Sequence, residues 1–156
     1  ILLLPTYRKI VLDSLVWLRK EQRMYLYAFV IMPNHLHLLL KPINQSIGQL
    51  LQDFGSYTAH TILKELRKEK HTKLLSFFNE HRRDPRHQHS IWQDIQAKNI
   101  FSQKVLAQKI EYIHHNPLRK GWNLAKVRAD YLYSSACFYD NDENPIIEVD
   151  DVRDVL

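Results

Sequence analysis

Cysteine is nearly missing from this 156-residue chain. Cys137 stands alone, which excludes an intrachain disulfide and any zinc site built on thiolates, and points to a reducing, cytoplasmic setting. Glycine and proline are scarce, at 3 and 6, and no repeat or low-complexity linker divides the sequence. No apolar run approaches the roughly 20 residues that span a bilayer, and the opening ILLLP is too short and wrongly flanked for a signal peptide, so no membrane role is expected. Acid is short in one part only. Residues 1–139 hold 21 Lys/Arg against 10 Asp/Glu, a net charge of +11, whereas residues 140–156 carry seven acids against Arg153. The organisation expected is a single domain over 1–139 followed by an acidic C-terminal tail over 140–156. A body that basic attracts polyanions, which makes nucleic acid the leading partner class. What is abundant is histidine, at 9, and that directs attention to metal or proton chemistry.

Positions 7, 10, 11, 14, 15 and 18 form an apolar or small stripe at helical spacing, entered after Pro5 and left through RKEQR. MYLYAFVIM, residues 24–32, is aromatic and β-branched on both faces. It stops at Pro33-Asn34, and HLHLLLK then runs to Pro42, so two adjacent strands joined by a tight turn are expected. Ser46 stands where a helix cap belongs, before a stripe of Ile47, Leu50, Leu51, Phe54, Thr58 and Ile62 that reaches about Lys70. Residues 64–89 hold eight Lys/Arg and four His and read as a basic irregular connector. SIWQDIQAKNIF is a further strand candidate, and a helix runs from the Ser102 cap to Asn116-Pro117. This is an α+β order. A ferredoxin-like antiparallel sheet with helices packed on it buries those faces most simply, with its first strand expected to be lacking in this chain.

Strand alternation puts His35 and His37 on one face, about 6.6 Å apart along the backbone, close enough for both imidazoles to reach one cation. Leu36, Leu38 and Leu40 are expected on the opposite, buried face, with Leu39 next on the histidine side. Two neutral imidazoles leave positions open for phosphate and water oxygens, the arrangement of a catalytic rather than a structural ion. That donor set suits Mg²⁺ or Mn²⁺, with Zn²⁺ or Ni²⁺ also able to bind.

The runs YAFVIMPNHLHLLLKP, SYTAHTIL, YIHHNPLRKGW and YLYSSA follow one another from about Met24 to Tyr139. Together they resemble the REP-associated tyrosine transposases and their insertion-sequence relatives, the single-tyrosine HUH transposases. HUH denotes His, hydrophobe, His, here His35-Leu36-His37. The resemblance implies an HUH endonuclease-like fold and a tyrosine nucleophile on the helix after the HUH strand, matched by Tyr57, with His35 and His37 holding the divalent metal. Helical periodicity places Tyr57 about 80° from the centre of its buried stripe, at the edge, where it can be reached. Tyr25, Tyr27, Tyr112, Tyr131, Tyr133 and Tyr139 are rivals by chemistry alone, but fall in predicted strands, a buried helix or the tail. A related transposase takes a polar amide one turn beyond the tyrosine as third metal ligand. This chain has Thr61 there, so Thr61, His60 and Asp53 all stand open for the role.

The reaction so implied is cleavage and rejoining of single-stranded hairpin DNA through a 5′-phosphotyrosine, with the protein a monomer or homodimer. No nucleotide cofactor is implied, because the phosphotyrosine bond conserves the energy. Arg82, Arg83 and Arg86 in the connector, and Arg119 and Lys120 after Asn116-Pro117, are candidates for holding phosphates, and Trp92 or Trp122 for stacking bases. Two other classes fit the same residues: a non-catalytic hairpin-binding protein, and a phosphodiesterase that uses activated water.

Overall fold

The computed structural model describes residues 1–81, 91–92 and 94–155, with residues 154 and 155 described by backbone alone. The chain forms two compact units, one of residues 1–44 and 99–156, the other of residues 45–98. Arg82, Arg83 and Arg86 lie outside the described residues.

The first unit opens with helix α1 (Pro5–Lys20), which starts on a proline, where a missing N–H costs nothing. It buries Tyr7, Val11, Ser14, Leu15 and Leu18, the stripe expected from spacing. Strands β1 (Met24–Ile31) and β2 (Leu36–Pro42) pair antiparallel across the Pro33-Asn34 turn, which closes with Met32 N donating to His35 O at 2.9 Å. Register shifts between Leu26 and Ala28, so Tyr27 is the extra residue of a β-bulge. Every β1 side chain except Tyr25 is buried. Helix α4 (Gln103–His115) begins at Ser102, whose hydroxyl accepts from Val105 N at 3.2 Å.

The burial of β2 differs from expectation. Leu39, on the histidine side, is the buried leucine, while Leu36, Leu38 and Leu40 are half-buried. The reason is α4: its Ile110 and Ile113 join Ala28, Val30, Met32 and Leu39 in one apolar cluster. The histidine face of the sheet is therefore core at the Leu39 end and polar at the turn end.

The free edge of β1 is covered by the chain's last third. Ile31 N donates to Tyr133 O and Ser135 N to Phe29 O, while the hydroxyls of Tyr131 and Tyr139 donate to Ile31 O and Tyr27 O, both at 2.8 Å. Helix α5 (Ala136–Asn141) follows. The acidic segment after Tyr139 folds back onto this unit. Ile147, Val149 and Val152 are buried, Asp150 pairs with Arg19 at 3.0 Å, and Leu26 N donates to the Asp150 carboxylate at 2.7 Å. Capping that edge removes a row of unpaired backbone groups.

The second unit holds α2 (Ile47–Lys68), with Ser46 capping Gln49 N at 3.1 Å, and α3 (Thr72–Glu80). The expected irregular connector is thus helical over its described first part, because Leu66 and Phe78 each have a buried place. The further strand expected in SIWQDIQAKNIF does not form among the described residues. Instead Trp92 Nε1 donates to Thr58 Oγ at 2.8 Å, and Ile95 lies against Gly55, where a Cβ would stand 3.1 Å from its Cδ1. The described residues make an α+β fold built on a two-stranded antiparallel sheet, compatible with an HUH-like fold that is short of a strand.

Candidate active site

His35 and His37 stand side by side at the turn end of β2, ring centroids 5.0 Å apart. Asn34 Oδ1 accepts from His35 Nδ1 at 2.6 Å, which places a ring proton on Nδ1. Burial lowers the His35 pKa from its ordinary value, the Asn116 side chain opposes that drop, and the charge of Arg119 adds to it. His37 falls to about 4, by burial first and then by His35, Arg119 and Lys109. Both rings are neutral at pH 7, the form that binds a cation.

Helix α4 supplies the rest. Tyr112 lies edge-on to His37 with ring centroids 5.4 Å apart, and it is 40% exposed, so its hydroxyl can meet a ligand. Arg119 stacks over the Tyr112 ring at 4.2 Å and donates from Nη1 to its hydroxyl at 3.4 Å, with Lys109 5.6 Å from the ring on the other count. One helical turn after Tyr112, Asn116 is 2% exposed and reaches His35. Its Nδ2 donates to the carbonyls of Tyr112 and Ile113 at 2.8 and 3.3 Å, so Oδ1 is the atom left to accept or ligate. Trp122 completes the rim, 5.8 Å from His35.

The helix is held at this height by a buried contact. His114 Nε2 and Ser135 Oγ are 2.8 Å apart, and Ser135 Oγ accepts from Phe29 N at 2.9 Å, tying α4 to β1.

Residues 5–116 match the family described as Transposase IS200 like, a span that begins on the first residue of α1 and ends on Asn116. The chain belongs to the IS200-like transposase family. No curated protein and no solved structure matches it. An IS200-like transposase is a DNA-cleaving enzyme, and DNA is its partner. No helix among the described residues is long and apolar enough to cross a membrane.

The candidate residues of the transposase are divided between its two units. His35, His37, Arg119 and Lys120 all belong to the first unit; Tyr57, 60% exposed on α2, belongs to the second. The three residues open as third ligand are also on α2: Thr61 donates its hydroxyl to Tyr57 O at 2.9 Å, Asp53 accepts from Gln49 at 2.7 Å, and His60 is exposed. Tyr112, expected within a buried helix, is 40% exposed instead, and YIHHN sets an amide, Asn116, four residues after it. Two of the rival tyrosines have structural roles. Tyr131 and Tyr139 donate to β1 carbonyls, and burial pushes Tyr139 up to about 12.

The donor set suits a divalent cation. It offers two neutral imidazoles and one carboxamide oxygen. Among the described residues no three His, Cys, Asp or Glu come together, so a carboxylate-rich cage is not formed there.

Proposed function

We propose that this transposase cleaves and rejoins single-stranded hairpin DNA through a 5′-phosphotyrosine formed on Tyr112. The observation that supports it is the meeting of Tyr112 on the last turn of α4 with His37, and of Asn116, which caps that helix, with His35. Tyr112 Oη attacks the scissile phosphorus, the bond from phosphorus to the 3′-oxygen breaks, and the proton given up by the phenol is balanced by the one the 3′-oxygen takes from water. Arg119, donating to Oη, favours the negative charge that grows there as the proton leaves. Because the strand stays joined to tyrosine as a phosphodiester, attack by another 3′-hydroxyl reverses the step and joins strands. Mg²⁺ or Mn²⁺ held by His35, His37 and Asn116 would supply Lewis-acid polarisation of the phosphate. Exposed Lys109, Arg119 and Lys120 lack carboxylate partners among the described residues, unlike Arg19, Arg128 and Arg153, and so remain available to DNA phosphates. The REP-associated resemblance favours a stem-loop with a single-stranded flank as substrate.

The test incubates labelled hairpin DNA with the protein and Mn²⁺ and looks for an adduct that survives denaturation. Tyr112→Phe is expected to abolish it and Tyr57→Phe to retain it. The opposite result returns the nucleophile to Tyr57. Tight binding with no cleavage identifies a hairpin-binding protein, and cleavage without an adduct identifies a phosphodiesterase that uses water.

A further inference from the structure

The loop after α4 is tightly folded. Trp122 N and Asn123 N both donate to Arg119 O, at 2.9 and 3.3 Å, and Leu124 N donates to Pro117 O at 2.9 Å. Gly121 makes this possible at φ +95°, a backbone region that residues with a Cβ rarely enter. A Cβ there would meet nothing within 4 Å, so the requirement for glycine is conformational rather than one of space. The turn returns Trp122 to the histidine pair, its ring 5.8 Å from His35 and tilted by 57°. The indole is half-buried: it packs against the apolar cluster beneath the sheet and leaves part of its surface in solvent. Arg119, three residues earlier, is exposed and without a carboxylate partner among the described residues.

An aromatic face and an unneutralised guanidinium on one short loop, flanking a site for a phosphate, match two features of one nucleotide. We infer that Trp122 stacks the unpaired base next to the scissile phosphate while Arg119 holds its backbone, so that this loop selects single-stranded DNA at the point of cleavage. A base in a duplex is stacked on both sides and has no free face for the indole, whereas every unpaired base has one. The phosphate contact is blind to base and strand form. The inference rests on the DNA-cleaving reading of the histidine pair, and adds to it the group that separates unpaired from paired substrate.

The experiment measures binding by fluorescence anisotropy in EDTA, with two probes: a labelled 16-nucleotide oligothymidylate, and a sugar-phosphate strand of equal length lacking all bases. Wild type is expected to prefer the strand with bases. Trp122→Leu, which keeps the apolar cover and removes the π face, should lower that preference by roughly tenfold and leave affinity for the abasic strand unchanged, which also reports an intact fold. Trp122→Phe should retain most of the preference. Arg119→Gln should weaken both strands alike and reduce the salt dependence by about one phosphate contact. An unchanged preference in Trp122→Leu overturns the inference, as does an equal loss on both strands or an equal loss in the Leu and Phe variants. Binding in EDTA involves no strand cleavage, so an adduct that persists in Tyr112→Phe refutes the nucleophile and leaves this result standing, and the reverse also holds.

Discussion

His114 should make this transposase acid-labile well above the pH at which its carboxylates protonate. The ring is fully buried between Tyr112 and Asn116 in sequence, its Nε2 engaged with Ser135 Oγ and its Nδ1 without a hydrogen-bond partner in the structure. Burial, with Arg128 nearby, lowers its pKa from 6.5 to about 4. In the unfolded chain the imidazole takes up a proton near pH 6.5, whereas in the folded chain it resists until about pH 4. Between those values the unfolded state binds more protons, so stability falls as pH falls and is unaffected by this group above about pH 7. At about 1.4 kcal/mol per unit of pKa difference, the full loss from His114 reaches about 3 kcal/mol by pH 4. His37 and His35 shift in the same direction, so the measurement must isolate His114. Urea denaturation of wild type and His114→Leu, followed by circular dichroism from pH 7.5 to 4, does so. At pH 7.5 the two should differ by about 1 kcal/mol or less, since the variant gives up one hydrogen bond but also an orphaned nitrogen. By pH 4 the variant should be the more stable by about 3 kcal/mol. Parallel curves over the whole range would refute a buried neutral histidine at this position, and with it the tie that holds α4 against β1.

Two further outcomes follow from the same contacts. Asn116→Ala removes the carboxamide that caps the Tyr112 and Ile113 carbonyls and faces His35; calorimetric titration should show weaker Mn²⁺ binding by about tenfold or more, with Asn116→Asp restoring it, and equal affinity in all three proteins would remove Asn116 from the cation site. Asp150→Ala takes away the carboxylate shared by Arg19 and the Leu26 N–H and should cost about 2 kcal/mol in urea denaturation; a loss under about 0.5 kcal/mol would mean that the acidic segment does not secure the edge of β1.

Local chemistry wrote a good part of this protein into its sequence. The period-two run HLHLLL sets both histidines on one side of a strand, Pro33-Asn34 forces the turn before them, and Ser46 and Ser102 mark two helix starts by the hydroxyl each offers. Each of these depends on a few consecutive residues, which is why it was legible without the fold. The family was legible too, because it rests on several such runs in order. What only the tertiary structure decided is which distant groups meet. Helical periodicity reports that α4 has a buried side; it does not report that this side covers the histidine face of the sheet, which buries Leu39 and brings Tyr112, some 75 residues along the chain, to His37. Charge composition set the last 17 residues apart as an acidic tail, whereas three apolar residues, Ile147, Val149 and Val152, carry them into the core. Local patterns are fixed by backbone sterics and capping within a turn or a strand. Contacts between remote segments depend on which apolar faces find each other, and that is a property of the whole packed chain.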